Sequence, residues 1–324
     1  MKAVTQNRYG GPETLAFTEV APPVATGDQV LVRVRAASLN AYDWHVMRGD
    51  PRFARLTFGV RRPSAAIRGR DFAGVVEAVG PDVTRFRAGD EVFGDTVHAG
   101  GALAEYVAVS QDRVAIRPAA LTWEETAALP LAGVTALQGV RSLRPGQKVL
   151  MNGGSGGVGT FGVQMAKGLK AEVTAVCSAR NAELVRSLGA DHVIDYRLTD
   201  FGSRIAGYDL VLDLVGNRPL STLRRVLAPG GTVVLSGGGV YRGGSLFGPM
   251  RLVVQARLSS RFVKERVEIL SAVTDHASLT ALAELVAAGT VKPVIDRTFP
   301  LADAAAAIRY LETEHARAKV VITV

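Results

Sequence analysis

The 324 residues, 48% hydrophobic against 21% charged, describe a folded chain rather than a disordered one, and the length suits two domains better than one core. A formal charge of +8 and a pI near 9.9 suit anionic ligands such as nucleotide phosphates, though they serve solubility equally well. Cys177 is the single cysteine, which excludes an internal disulfide and a C-x-x-C zinc site. With no apolar leader core and no run near the roughly 18 apolar residues of a spanning helix, a soluble cytoplasmic protein is expected.

In chain order, "QVLVRVRAA" (29–37) sets Val30, Val32 and Val34 on one side and Leu31, Arg33 and Arg35 on the other, the period of a half-buried strand. "NAYDWHVMRG" (40–49) reads as a loop fixed by Asp43 and Arg48. Residues 48–70 carry arginines at 48, 52, 55, 61, 62, 68 and 70, either a solvated basic loop or a landing place for an anionic substrate or a nucleic acid. "FAGVVEAVG" (72–80), "DEVFG" (90–94) and "LAEYVAVS" (103–110) are further short strands, so the first half reads as a β-rich domain.

At Thr122 the texture changes. Thr122 with Glu125 is a capping box that opens a helix. Apolar strands then alternate with helical stretches: "KVLMN", a glycine loop, "TFGVQMAKGLK", "EVTAVC", "AELVRSLGA", "DHVIDY", "YDLVLDLV", "LSTLRRVLAPGG" and "TVVLSGG". Nearly unbroken apolar strands between helices imply a parallel sheet covered on both faces, a doubly wound domain. Segment 251–266 combines basic residues with Leu252, Val253, Val254, Leu258 and Phe262, which suits core or dimer packing, a lid, or a membrane-surface helix. The tail offers a strand, a helix opening near Asp303 and a last strand that returns to the first domain.

The loop "MNGGSGGVG" (151–159) fits two chemistries. Gly154, Gly156 and Gly159 form G-x-G-x-x-G, which admits a dinucleotide pyrophosphate. Gly153, Ser155 and Gly157 form G-x-S-x-G, the elbow of a hydrolase's nucleophilic serine. Context decides for the dinucleotide. The next strand, 172–177, ends where a ribose is expected, whereas the elbow needs a later acid and histidine; Asp213 with His276 or His315 can be nominated, but two such residues downstream in so long a chain are nearly expected by chance. At the end of that strand stand Ser178 and Arg180 instead of a carboxylate, a pair suited to a 2′-phosphate, so the expected cofactor is NADP(H).

The order of "GDEVFG" (89–94), "GGALAEYVAV" (100–109), "LPLAGVTALQGV" (129–140), "GGSGGVG" (153–159) and "SLGADHVIDY" (187–196) resembles the medium-chain dehydrogenase/reductase superfamily, and most of all its zinc-independent quinone oxidoreductase, zeta-crystallin-like branch. The resemblance implies an α/β protein with a GroES-like β-rich catalytic domain (1–122, completed by 272–324), a Rossmann NADP(H)-binding domain (123–271), and cofactor in the cleft between them. It implies that Ser155, Gly157, Val158, Ser178, Arg180 and Tyr196 contact phosphates and ribose. Thr135 would lie near the nicotinamide, and Val215 with "LSGGG" (235–239) would line its pocket.

The zinc-dependent relatives carry a cysteine ligand and a Gly-His-Glu in the first domain. Here Asn40 stands near the cysteine's place and Arg70 replaces the histidine. The five histidines, at 45, 98, 192, 276 and 315, have no ligand-pair spacing, so no metal is expected. Without a Lewis acid, an activated acceptor such as a quinone or an α,β-unsaturated carbonyl is the fitting substrate. Asn40 is the candidate for orienting cofactor or carbonyl, and Tyr42 and His45 are candidate proton donors, with solvent as the competing source. The opposing reading is a non-catalytic NADPH-binding protein of structural or RNA-binding type; an alcohol dehydrogenase or an enoyl-thioester reductase ranks lower. Aromatics at 6% argue against nucleic acid, and the chain could pair with a second copy.

Overall fold

The computed structural model describes residues 1–97, 99–204, 207–236, 244, 265–314 and 316–324. Segment 251–264, residues 237–239 of "LSGGG", and the histidines at 98 and 315 lie outside the described residues. The chain divides into two compact units, one built from Met1–Val134, Gly244 and Val273–Val324, the other from the remaining described residues between Thr135 and Ala272. Among the described residues no helix is long and apolar enough to cross a membrane.

In the first unit, β1 (Lys2–Gln6) and β2 (Leu15–Glu19) form an antiparallel pair. The main sheet contains β3 (Gln29–Leu39), β4 (Asp71–Val79), β5 (Glu91–Asp95), β6 (Tyr106–Ser110), β7 (Val114–Ile116), β14 (Ile295–Pro300) and β15 (Lys319–Thr323). Its order is β14-β15-β3-β4-β5-β7, with β6 also paired to β3. Val30, Val32 and Val34 of β3 are buried while Arg33 and Arg35 are exposed, so the period-two pattern describes a real inner face. The tail returns through β15, which runs antiparallel to β3 with Val320 opposite Leu39.

Two sequence expectations change here. Residues 40–49 are not a loop but a helix, α1 (Ala41–Arg48), closed by Gly49 at φ 58°. Asp43 at its third position accepts the Asn40 N–H at 2.7 Å, the acid half of a capping box. Arg48 fixes the helix by pairing with Glu312. The division between units falls at Val134/Thr135 rather than at 122/123, because the helix Trp123–Ala127 packs on β3 and β4. That helix does carry the Thr122–Glu125 box.

The second unit is a six-stranded parallel sheet: β8 (Lys148–Asn152), β9 (Glu172–Cys177), β10 (His192–Asp195), β11 (Tyr208–Asp213), β12 (Leu227–Leu235) and β13 (Arg266–Ile269). Its order, β10-β9-β8-β11-β12-β13, is the doubly wound 3-2-1-4-5-6. The stretch 220–231 is only partly helical. The helix stops at Arg225, and Leu227–Gly231 opens β12, since Pro229 and the two glycines after it cannot continue a helix.

Candidate functional site

The glycine loop follows β8, the first strand of the doubly wound order, and leads into a helix spanning Gly157–Gly168. Its glycines serve different ends. A Cβ on Gly159 would collide with the Gly153 carbonyl oxygen, and one on Gly154 would lie 2.8 Å from the Ala175 Cβ, so these two admit close packing of the chain on itself. Gly156 is unlike them. A Cβ there would meet only the Gly153 oxygen, at an ordinary 3.5 Å, so nothing within the protein demands a glycine. Gly156 is also the N-cap of the helix, and no side chain caps it. Open space above uncapped N–H groups fits an anion such as a pyrophosphate.

Ser155 is bound to a residue that the sequence reading passed over. The Asn181 amide donates to the Ser155 hydroxyl at 3.0 Å, which leaves the hydroxyl's own hydrogen to donate elsewhere. The elbow reading finds no support in Asp213, which accepts from Asn152 and from the N–H groups of Val215 and Gly216, nor in His276, whose Nδ1 meets the Val114 carbonyl. β9 and β10 end in register, Cys177 opposite Asp195, so Ser178, Arg180 and Tyr196 emerge at one edge of the sheet. Ser178 is buried; Arg180 and Tyr196 are exposed. Val215 lies beside Gly153, where an added Cβ would come within 2.8 Å of it, and Thr135 is buried in the helix Pro130–Val140.

In the first unit, Asn40 sits in a buried polar network. Its Nδ2 donates to Asp71 at 2.8 Å and its Oδ1 accepts from Lys319 at 2.7 Å, which leaves one amide N–H for a further acceptor. Lys319 also donates to the Leu39 carbonyl and lies 3.6 Å from Asp71. Arg70 makes a two-point bond to Asp95, with Nε to Oδ1 at 2.8 Å, and its guanidinium lies 4.4 Å over the Tyr42 ring. Burial raises the Asp71 carboxyl and lowers the Lys319 amine, while each holds the other charged through the ion pair. Among the described residues no cluster of metal-ligating side chains forms.

The two proton-donor candidates part company. Tyr42 lines a shallow cleft, and burial pushes its phenol up to about 12, so it stays protonated. His45 is committed elsewhere. A carbonyl only accepts, so Nδ1 of His45 carries the hydrogen that meets the Asp50 oxygen at 2.6 Å, and burial holds the ring below its ordinary pKa. With the ring neutral, Nε2 carries no hydrogen to donate. Asp71, Asp95 and Lys319 were missed by the sequence reading; the one available signal was a lysine heading the fully apolar run "VVI".

Residues 26–119 match the alcohol dehydrogenase GroES-like domain, and residues 188–322 match a model described as zinc-binding dehydrogenase. The chloroplast envelope quinone oxidoreductase homolog of Arabidopsis thaliana is 34% identical across 99% of this chain and 98% of its own. An NADPH-dependent alkenal/one oxidoreductase from the chloroplast of the same plant is 34% identical over 99% of this chain and 79% of its own. The solved quinone oxidoreductase of Coxiella burnetii superposes with a TM-score of 0.86 at 31% identity, covering 100% of this chain and 99% of that one.

Two outcomes follow from the geometry. Gly159→Ala should lower the thermal midpoint with or without ligand, whereas Gly156→Ala should leave it unchanged and lose only the stabilisation that added dinucleotide provides. Thermal scans with and without NADPH check this, and equal behaviour of the two variants would remove the distinction. The second concerns Asp43, which burial pushes up to about 7 from an ordinary 3.8. Its folded value lies above its unfolded one, so its contribution to folding is full below 3.8 and is lost as pH rises through about 7. Asp43→Asn retains an acceptor for the Asn40 N–H and cannot ionise. Its stability relative to the unmodified protein should therefore climb between about pH 4 and 7, by at most about 4 kcal/mol. Urea midpoints across that range measure it; parallel curves would show that Asp43 ionises there at no cost.

Proposed function

The chain belongs to the medium-chain dehydrogenase/reductase superfamily, in its quinone oxidoreductase branch, and from that membership we propose that it is an NADPH-dependent reductase of quinones and α,β-unsaturated carbonyl compounds that works without zinc. The observation that carries the reading is the space left open at Gly156, above an uncapped helix N-terminus, at the end of the first strand of a 3-2-1-4-5-6 sheet. NADPH is favoured over NADH by Arg180 and Ser178 at the end of β9, where a carboxylate that would repel a 2′-phosphate is missing. The printed name of the alkenal/one oxidoreductase supports both the cofactor and the acceptor class.

When bound, the dihydronicotinamide supplies two electrons and one hydrogen, and solvent supplies the proton that completes the reduction. The chain holds the phosphates through the Gly157–Gly159 N–H groups and the Ser155 hydroxyl, whose own hydrogen the Asn181 contact leaves to donate. In the first unit, Asn40 offers its remaining N–H to an oxygen on which charge grows, and Tyr42 stands in the lining of the adjacent cleft. Zinc independence is supported by what fills the ligand positions. Arg70 is a cation pinned to Asp95, and the Asn40 oxygen is taken by the Lys319 ammonium, so a divalent ion would meet two fixed positive charges.

Arg180→Ala should weaken NADPH about ten- to a hundredfold, the loss of one charge-assisted contact, with little effect on NADH. Fluorescence titration of both cofactors checks it, and equal affinities in the unmodified protein would defeat the NADPH assignment. Menadione-dependent NADPH oxidation should survive EDTA; activity lost to the chelator and restored by zinc would overturn the zinc-free reading.

A further inference from the structure

The run of arginines between residues 48 and 70 divides in the structure. Arg55 donates to the Gly49 carbonyl at 2.9 Å and lies over the Tyr9 ring, Arg68 donates to the Ala65 carbonyl, and Arg70 clamps Asp95. Arg52, Arg61 and Arg62 are exposed instead, and among the described residues none of the three forms an ion pair. Beside them the fold leaves large apolar side chains outside: Phe53 is 50% exposed, Leu56 70% and Val60 66%. Phe53 and Leu56 lie three positions apart, on one side of the turn Arg52–Ala54 and the helical turn Arg55–Phe58 that follows it.

The loop that carries them is firmly held at its base. The Tyr9 hydroxyl donates to the Gly59 carbonyl, and the Ser64 N–H closes on the Phe58 carbonyl at 2.7 Å. Its outer side chains are therefore kept in water by the fold, at a cost in free energy that a partner would recover. Charge selects that partner. Residues 51–70 hold six arginines and no acidic residue, in a chain of net charge +8, so the partner is anionic. A second copy placed isologously would bring the same arginines face to face. A nucleic acid asks for rings that stack on bases, whereas this loop exposes two aliphatic side chains for one aromatic. Aliphatic tips beside guanidinium groups suit the boundary of an anionic bilayer. Phosphates there meet the cations, and the acyl edge takes protruding side chains without needing a shaped pocket.

We propose that loop 52–64 docks this protein onto the surface of an anionic phospholipid bilayer, with Phe53, Leu56 and Val60 entering the interface and Arg52, Arg61 and Arg62 on lipid phosphates. The proposal does not depend on the reductase reading. It is tested by flotation of the full chain with vesicles of phosphatidylcholine alone and with roughly one-third phosphatidylglycerol. The unmodified protein should float with the anionic vesicles and not with the neutral ones, and less so as salt rises.

Each arginine at an anionic surface is worth about a fivefold change in partitioning, so Arg52→Gln/Arg61→Gln/Arg62→Gln should weaken binding about a hundredfold. Arg35→Gln/Arg141→Gln/Arg144→Gln removes the same charge at three other exposed positions and should lose far less. Phe53→Ser/Leu56→Ser should lose about tenfold or more. In Phe53→Trp the added emission should shift to the blue and be quenched by brominated acyl chains on anionic vesicles. All the substituted side chains are exposed, so thermal midpoints should stay where they are. Equal losses in the two arginine variants would reduce the effect to overall charge and overturn the proposal, as would unshifted emission in Phe53→Trp. Failure to bind anionic vesicles overturns it outright; dimerisation or retention of single-stranded DNA that depends on the loop would then name the occupant instead.

Discussion

Asp71 and Asp95 lie directly opposite each other across β4 and β5, both fully buried, and this juxtaposition governs how the first unit is assembled. Two like charges facing across a sheet are unfavourable, and a buried carboxylate without a partner is worse. Each is therefore answered by its own cation. Arg70 clamps Asp95 in a fork geometry, with Thr274 adding a hydroxyl, and Lys319 approaches Asp71 from the last strand of the chain. Residues nearly 280 positions apart in sequence are joined by this demand, since the same ammonium binds the Leu39 carbonyl and the Asn40 side chain.

Buried ion networks of this kind rarely add much stability over a packed apolar core; their value lies in fixing one arrangement. Here the arrangement fixed is the orientation of Asn40, held at both ends of its amide, and of Tyr42, held under the Arg70 guanidinium. The second unit solves the opposite problem. Under the proposed reading its loop keeps the helix N-terminus uncapped for a ligand's phosphates, so it uses glycine and an uncapped helix where the first unit uses charge and burial.

Local periodicity explains why much of this was legible in the sequence. The alternation of Val30, Val32 and Val34, the Thr122–Glu125 box and the G-x-G-x-x-G spacing each depend on neighbours within a few residues, and each marks an element that the structure contains. What escaped depends on distance. Nothing near Lys319 in sequence announces that β15 will carry it to Asn40, and nothing near Asp95 announces Arg70. The helix Ala41–Arg48 was hidden for another reason. Its box opens with Asn and Asp rather than Ser/Thr and Glu, and its inner face mixes Asp43 with Trp44, Val46 and Met47, so apolar periodicity is blurred by the buried acid. Asn181, buried beside the exposed Arg180, acts through a contact with Ser155, 26 positions earlier, which no local pattern marks.

Under the proposed reading, the substitutions at residues 40 and 70 exchange one kind of electrophilic help for another. A bound metal ion stabilises developing oxygen charge by several kcal/mol, whereas a hydrogen bond to a charged group contributes about 1.5–3 kcal/mol. A donor fixed by a network, such as the Asn40 amide, needs no reorganisation at the moment of reaction, which recovers part of the difference. The remainder must come from the acceptor itself. A quinone gains aromaticity as it is reduced, and an enone spreads charge over carbon and oxygen, whereas a simple ketone does neither. The same network that removes the room for a metal ion therefore narrows the chemistry to acceptors that need only a well-placed N–H.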